Sequence, residues 1–115
     1  MANTFKVITK AGVTSADVIY TVAGSTTSVL LGIMLGNTTT GATTATVTLT
    51  SDTANRSGAN NEANQTVELV TNAPIPVGSS LELLAGNKVV METTDTLSLT
   101  GSGATDIILS VMEIT

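Results

Sequence analysis

The stretch Ser28-Val29-Leu30-Leu31-Gly32-Ile33-Met34-Leu35 is the longest apolar run of the chain and decides its fold. Its β-branched residues and internal glycine lower its helix propensity, so the run predicts a β-strand. A strand alternates its side chains, and here both faces are apolar: one has Val29, Leu31, Ile33 and Leu35, and the other has Leu30, Gly32 and Met34. We therefore expect a central strand whose second face is covered by another element or another subunit.

The length and composition indicate one folded domain over residues 1–115. A chain of 115 residues can bury one core of ordinary size but not two independent ones. Hydrophobic residues make up 42% and charged residues 11%, which separates the chain from disordered proteins. Threonine takes roughly one position in five, and its β-branched side chain suits half-exposed strands. With only Phe5 and Tyr20 as aromatics, both expected on core faces, the core must be packed from aliphatic side chains.

The charge distribution argues against nucleic acid and the composition against a membrane. The net charge is −5, and the four basic residues are scattered along the chain, so they form no phosphate-binding stripe. The apolar run is far shorter than the roughly 20 residues that a membrane-spanning helix needs. The first residues show no apolar segment of a secretory signal, so we expect synthesis in the cytoplasm.

The residues needed for common catalytic chemistry are missing, so we expect no enzyme. Histidine and cysteine are absent, which removes Ser/His and Cys/His nucleophiles and the usual zinc ligands. The nearest pair of acids, Glu92 and Asp95, falls in a predicted tight turn, where aspartate is favoured for local hydrogen bonding. We therefore expect no catalytic residues, no metal site and no cofactor.

Short alternating segments predict an all-β fold, an antiparallel, jelly-roll-like β-sandwich with about eight or nine strands. The first strand is expected at a sheet edge. The last strand is apolar on both faces, like the opening run, and should lie beside it in the middle of a sheet. The predicted strands cover residues 5–9, 17–22, 28–35, 45–50, 65–70, 80–84, 88–91, 96–99 and 106–114.

A polar segment of fourteen residues, 51–64, interrupts this pattern. Loops of this length are uncommon in compact domains and are usually functional or mobile. Three interpretations remain open: a passive hairpin tip, an arm that grips a neighbouring subunit, and a ligand-binding loop. For the second interpretation, the candidate assembly residues are Asn55, Arg56, Asn60 and Asn61.

The chain resembles small virion proteins of tailed bacteriophages, especially phages of marine bacteria. The resemblance rests on the stretch Pro74-Ile75-Pro76-Val77-Gly78-Ser79-Ser80-Leu81-Glu82-Leu83, on Asn87-Lys88-Val89-Val90-Met91-Glu92-Thr93-Thr94-Asp95, and on the closing strand near Glu113-Ile114. An N-terminal part from Thr21 to Thr39, with its apolar strand, is also similar to that group. The resemblance implies a structural β-sandwich that self-assembles or decorates a particle.

Several functions follow as expectations. The first is a head decoration or cement protein that binds the major capsid protein in the virion, with a neck- or tail-associated structural protein as the alternative. A carbohydrate-binding module ranks below both, because sugar platforms usually need exposed aromatic rings. We also expect self-association as a trimer, because a strand that is apolar on both faces needs a second cover. The candidate subunit contacts are Leu30, Met34, Ile108 and Met112.

Overall fold

The structure, a computed structural model, describes residues 2–52, 64–84 and 86–115. Within these ranges all regular secondary structure is β-strand, which confirms the all-β prediction. The nine strands are β1 (Asn3–Val13), β2 (Asp17–Thr21), β3 (Thr27–Asn37), β4 (Thr43–Thr50), β5 (Thr66–Ile75), β6 (Ser80–Glu82), β7 (Val89–Met91), β8 (Thr96–Gly101) and β9 (Thr105–Ile114).

The strands form two antiparallel sheets packed as a sandwich. The five-stranded sheet has the order β1-β9-β3-β6, with β7 pairing on β3 as well. Strands β6 and β7 lie along the same edge of β3, one against Met34–Gly36 and the other against Ser28–Leu30. The four-stranded sheet has the order β2-β8-β4-β5. This arrangement of two interleaved sheets is the strand order of a jelly roll and confirms the predicted fold class.

The core lies between the two sheets and is almost entirely aliphatic. Alternate residues of the long strands point inward, so each strand supplies every second side chain to the same layer. The strands β3, β8 and β9, which each lie in the middle of a sheet, supply half of the buried cluster. Its buried members are Val13, Tyr20, Val22, Leu30, Ile33, Leu35, Ala45, Val47, Ile75, Leu84, Met91, Leu97, Leu99, Ile107, Leu109 and Val111.

The two strands that are apolar on both faces are neighbours in the middle of the five-stranded sheet, as predicted. Strand β3 pairs with β9 from Thr27 opposite Ile114 to Asn37 opposite Thr105. The register shifts between Leu30 and Gly32, so one extra residue enters β3 at this point. Such a bulge changes which face the following side chains occupy.

The predicted outward placement of Leu30 is wrong, because the bulge reverses the alternation that the sequence suggested. Leu30 is 0% exposed and belongs to the core cluster, together with Ile33 and Leu35 beyond the bulge. It therefore lies in the interior of the sandwich rather than on a subunit-contact face. Met34 does point outward, as predicted.

Strands β1 and β5 are longer than the sequence predicted. The predicted end of the first strand at residue 9 is wrong, because β1 continues to Val13 with a register shift after Lys10. The predicted end of the fifth strand at residue 70 is also wrong, since β5 runs on to Ile75. The β5 strand lies at a sheet edge, where a proline removes no ladder hydrogen bond from a second neighbour.

The long polar segment joins β4 and β5 at the end of a hairpin. Its base is paired, since Thr50 lies opposite Thr66 and the Ser51 amide donates a 2.8 Å hydrogen bond to the Gln65 carbonyl. The candidate assembly residues Asn55, Arg56, Asn60 and Asn61 lie outside the described residues, so their role stays a prediction.

Candidate interaction surface

The side of the five-stranded sheet that points away from the core, here called the outer face, carries a continuous apolar surface. Register fixes its rows, because directly opposed residues of neighbouring strands share one face. One row crosses four strands through Val90, Val29, Met112 and Phe5. A second row has Met34 beside Ile108, and between the two rows Val7 lies opposite Ser110, which lies opposite Gly32.

The outer face holds most of the large apolar side chains that the described residues leave exposed. Five of the eight belong to it: Phe5 is 72% exposed, Val7 67%, Val90 61%, Ile108 46% and Met34 44%. Single exposed hydrophobic residues are ordinary, but contiguous apolar surfaces mark interaction sites in soluble proteins. The sandwich already has its core on the other side of this sheet, so the outer face takes no part in that core.

A hollow of about 300 Å³ opens in the middle of the outer face. Its floor holds the small residues Gly32 and Ser110, the apolar side chains around it include Leu31, Met34 and Ile108, and the acid Glu82 also lines it. A Cβ built on Gly32 meets no heavy atom within 4 Å, so the space above this glycine is open. The size is at the lower end of the roughly 300–1,000 Å³ that ligand pockets occupy.

Two residues on β1 stand out as a projecting pair beside this hollow. Phe5 and Val7 are the most exposed large apolar side chains of the described residues, and both point from the outer face. We call this pair the ridge, and we call the cavity over Gly32 and Ser110 the hollow. The ridge lies on β1, and the hollow lies over the neighbouring strands β9 and β3.

The outer face brings together three of the four predicted subunit contacts. Met34 and Ile108 are exposed neighbours there, and Met112 is half-buried in the row with Phe5. Leu30 is absent from this surface because it lies in the core. Whether Met34, Ile108 and Met112 contact another subunit stays a prediction.

Sequence reasoning missed the ridge, because it assigned Phe5 to a core face. The signal was present in the alternation of β1, where Phe5 and Val7 share one face and Lys6 and Lys10 share the other. The apolar residues were taken to point inward and the lysines outward. In the structure the reverse holds, since Lys6 lies opposite the core residue Val111 while Phe5 lies opposite Met112.

Charge is confined to one end of the outer face. Glu82 lies opposite Met34 and lines the hollow, and Asp106 lies opposite Gly36 beyond it, so both acids are away from the ridge. Asp106 is already engaged, since its Oδ1 accepts a 2.9 Å hydrogen bond from the Gly12 amide. The rows that contain the ridge are uncharged, which lowers the desolvation cost of covering them.

The outer side of the four-stranded sheet is polar, so the apolar character is a feature of the five-stranded sheet's outer face. Strand β4 directs its threonines outward there, and their partners on β8 are also hydroxyl residues. The cross-strand pairs are Thr46 with Thr100, Thr48 with Ser98, and Thr50 with Thr96. The chain therefore has one polar, hydroxyl-rich outer side and one apolar outer side.

The described residues contain no group of three or more His, Cys, Asp or Glu side chains placed to hold a metal ion. The predicted turn at the acid pair is confirmed, because the Glu92 amide donates a 2.9 Å hydrogen bond to Asp95 Oδ2. In this part of the chain, no helix is long and apolar enough to cross a membrane.

No family model and no curated protein matches the chain. Among solved structures, it is similar to a chain from Bacillus endospore appendages, described as a novel family of disulfide-linked pili. The two share 19% sequence identity over 99% of this chain and 87% of that chain, with a TM-score of 0.48.

Proposed function

We propose that this chain is a structural protein of a tailed-bacteriophage virion, a head decoration or cement protein that binds the capsid and stabilises it. The observation that carries the proposal is the apolar outer face of the five-stranded sheet. The core of the sandwich does not need this face, so it is available for assembly. The virion assignment itself comes from the resemblance of the sequence.

The physical role of such a protein is to add buried surface at many equivalent points of a shell. Each copy binds through contacts that are individually modest, and their number makes the layer stable. A compact jelly roll suits this task, because its strands hold the outer face rigid while loops remain free to vary. The partners are then further copies of the chain and the major capsid protein.

The test is a map of intact particles that contain the chain, with the sandwich fitted into the density. A decoration protein occupies many equivalent positions on the outside of the head. Density only at the neck or the tail supports the alternative structural role and removes the head assignment. Absence of the chain from purified particles, measured by mass spectrometry, contradicts the virion assignment altogether.

A further inference from the structure

We infer that the outer face is covered by a second copy of this chain, with the ridge of one copy seated in the hollow of the next. The inference rests on the proposed function in one respect, namely that the outer face is an assembly surface. Beyond the proposed function, it names the partner as a second copy of the chain and the contact as the ridge against the hollow.

Within one chain, the ridge cannot fill the hollow. Val7, Ser110 and Gly32 lie in one row, with β9 between the other two strands. Two strand spacings of about 4.8 Å separate Val7 from Gly32, and both point in the same direction from the sheet. An apolar projection and an apolar cavity on the same rigid face therefore find their complements only on another molecule.

The two features match in shape and chemistry. The ridge presents one aromatic and one β-branched side chain, both more than half exposed. The hollow has a glycine and a serine as its floor, so nothing larger than a hydroxymethyl group fills it from below. Aromatic side chains seated in apolar pockets are the usual anchors of protein interfaces.

The area is sufficient for a stable contact. Four strands spaced about 4.8 Å apart, with about ten residues of roughly 3.3 Å rise in the longest, give a face of roughly 600 Å². Two such faces bury about 1,200 Å² together, which reaches the range of specific interfaces. A contact between two outer faces is thus large enough to hold without further surfaces.

Charge limits how two copies can meet on this face. Each chain carries a net charge of −5, so two copies repel each other at long range. The rows that contain the ridge are uncharged, whereas Glu82 lines the hollow and Asp106 lies beyond it. The contact therefore has to leave the Glu82 carboxylate at its solvated rim, because burying it unpaired is costly.

Ridge and hollow lie side by side on one face, which allows a two-fold pair to close. In such a pair each ridge occupies the partner's hollow, and every ridge and every hollow is used once. A three-fold ring needs complementary patches that face different directions, so this contact does not supply the trimer expected from the sequence.

The first test separates the two halves of the contact by mutation. Phe5→Ser removes the anchor, and Gly32→Leu fills the hollow from within its own chain, where the space is open. Val18→Ser is the matched control, because Val18 is 55% exposed on the other sheet. Light scattering over a concentration series should show an assembled wild type and control. Each test variant should associate roughly 30-fold more weakly or worse, as expected for an interface anchor.

The second test traps the contact covalently. The chain has no cysteine, so chains with Val7→Cys and chains with Gly32→Cys each carry a single thiol. Disulfides need Cα atoms within about 7 Å, so a mixed disulfide under mild oxidation reports that ridge and hollow meet. A mixture of Val7→Cys and Val18→Cys should remain uncrosslinked.

The outcomes separate this inference from the proposed function. A wild type that stays monomeric at high concentration, or a Gly32→Leu chain that assembles like the wild type, overturns the ridge-and-hollow contact. If monomeric chain still decorates heads, the proposed function stands and this inference fails. If the chain assembles through the ridge and hollow but no particle contains it, the inference stands and the proposed function fails.

Discussion

Tyr20 on β2 donates a 2.5 Å hydrogen bond from its hydroxyl to Glu113 Oε2 on β9, so a buried phenol joins the two sheets of the sandwich. Ser28 Oγ lies 2.9 Å from the same hydroxyl, and Lys6 Nζ lies 2.8 Å from the other carboxylate oxygen. The lysine comes from edge strand β1 and points toward the core side. This polar network therefore ties β1, β2, β3 and β9 together beneath the outer face.

We predict that Tyr20→Phe destabilises the fold by about 1–2 kcal/mol, because it removes one hydrogen bond to a charged group and keeps the ring. Urea denaturation measures the free energy of unfolding of both chains. Ser28→Ala is the milder companion variant, since the bond between Tyr20 and the carboxylate remains. Equal stability of Tyr20→Phe and wild type contradicts a structural role for the hydroxyl.

We predict a loss of stability in acid that depends on Glu113. The hydrogen bond from Lys6, and then that from Tyr20, hold the pKa of Glu113 below its ordinary value of 4.5. A carboxyl whose pKa falls on folding adds stability above its unfolded pKa. That stability is lost as the pH falls below 4.5 and through the lowered folded value. Urea midpoints from pH 6 to pH 2 should fall less in Glu113→Gln than in wild type.

The opposite sign applies in alkali. Burial, and then the hydrogen bond to Glu113, raise the pKa of Tyr20 from 10.0 to about 12. A group whose pKa rises on folding contributes stability that is complete below its unfolded pKa and is lost as the pH rises toward the folded value. Ultraviolet titration should place ionisation of this single tyrosine near pH 12 in the folded chain. Ionisation near pH 10 without unfolding contradicts the buried network.

Leu30→Asp should unfold the chain rather than dissociate an assembly, because Leu30 lies in the core and a carboxylate there has no partner. Met34→Asp is the matched variant on the outer face and should keep its β-sheet spectrum. Circular dichroism and thermal melting distinguish the two. A folded Leu30→Asp chain contradicts the bulge in β3.

Much of the fold follows from the sequence because alternation and turns are local signals. The pairing of β3 with β9 was predictable, since both strands are apolar on both faces. The failures at Leu30 and Phe5 have a common cause. A bulge inserts one residue and reverses the side chains beyond it, and it has no local signature. The alternation of β1 separates Phe5 from Lys6, but it does not show which of the two faces points to the core. The sequence could therefore predict that the central strands have an apolar second face, but it could not predict which residues form the outer face.

Two glycines provide a further test of the structure. A Cβ on Gly101 lies 2.7 Å from the Val13 carbonyl and 2.8 Å from the Gly103 carbonyl, and backbone atoms cannot move aside cheaply. We expect Gly101→Ala to cost about 1–3 kcal/mol. Gly32→Ala meets open space and should leave the free energy of unfolding within about 1 kcal/mol of wild type. Thermal melts of the two variants compare these costs, and equal melting temperatures contradict the packing at Gly101.

If the outer face attaches the chain to its assembly, a charge placed in that face should prevent attachment, and the same charge on the other sheet should not. Ile108→Asp places a charge in this face, and Val18→Asp places the same charge at a similarly exposed site on the other sheet. Both chains are mixed with virion heads stripped of the protein and sedimented. We predict that Val18→Asp pellets with the heads like wild type, whereas Ile108→Asp stays in the supernatant. Retention of folded Ile108→Asp at the wild-type level contradicts the claim.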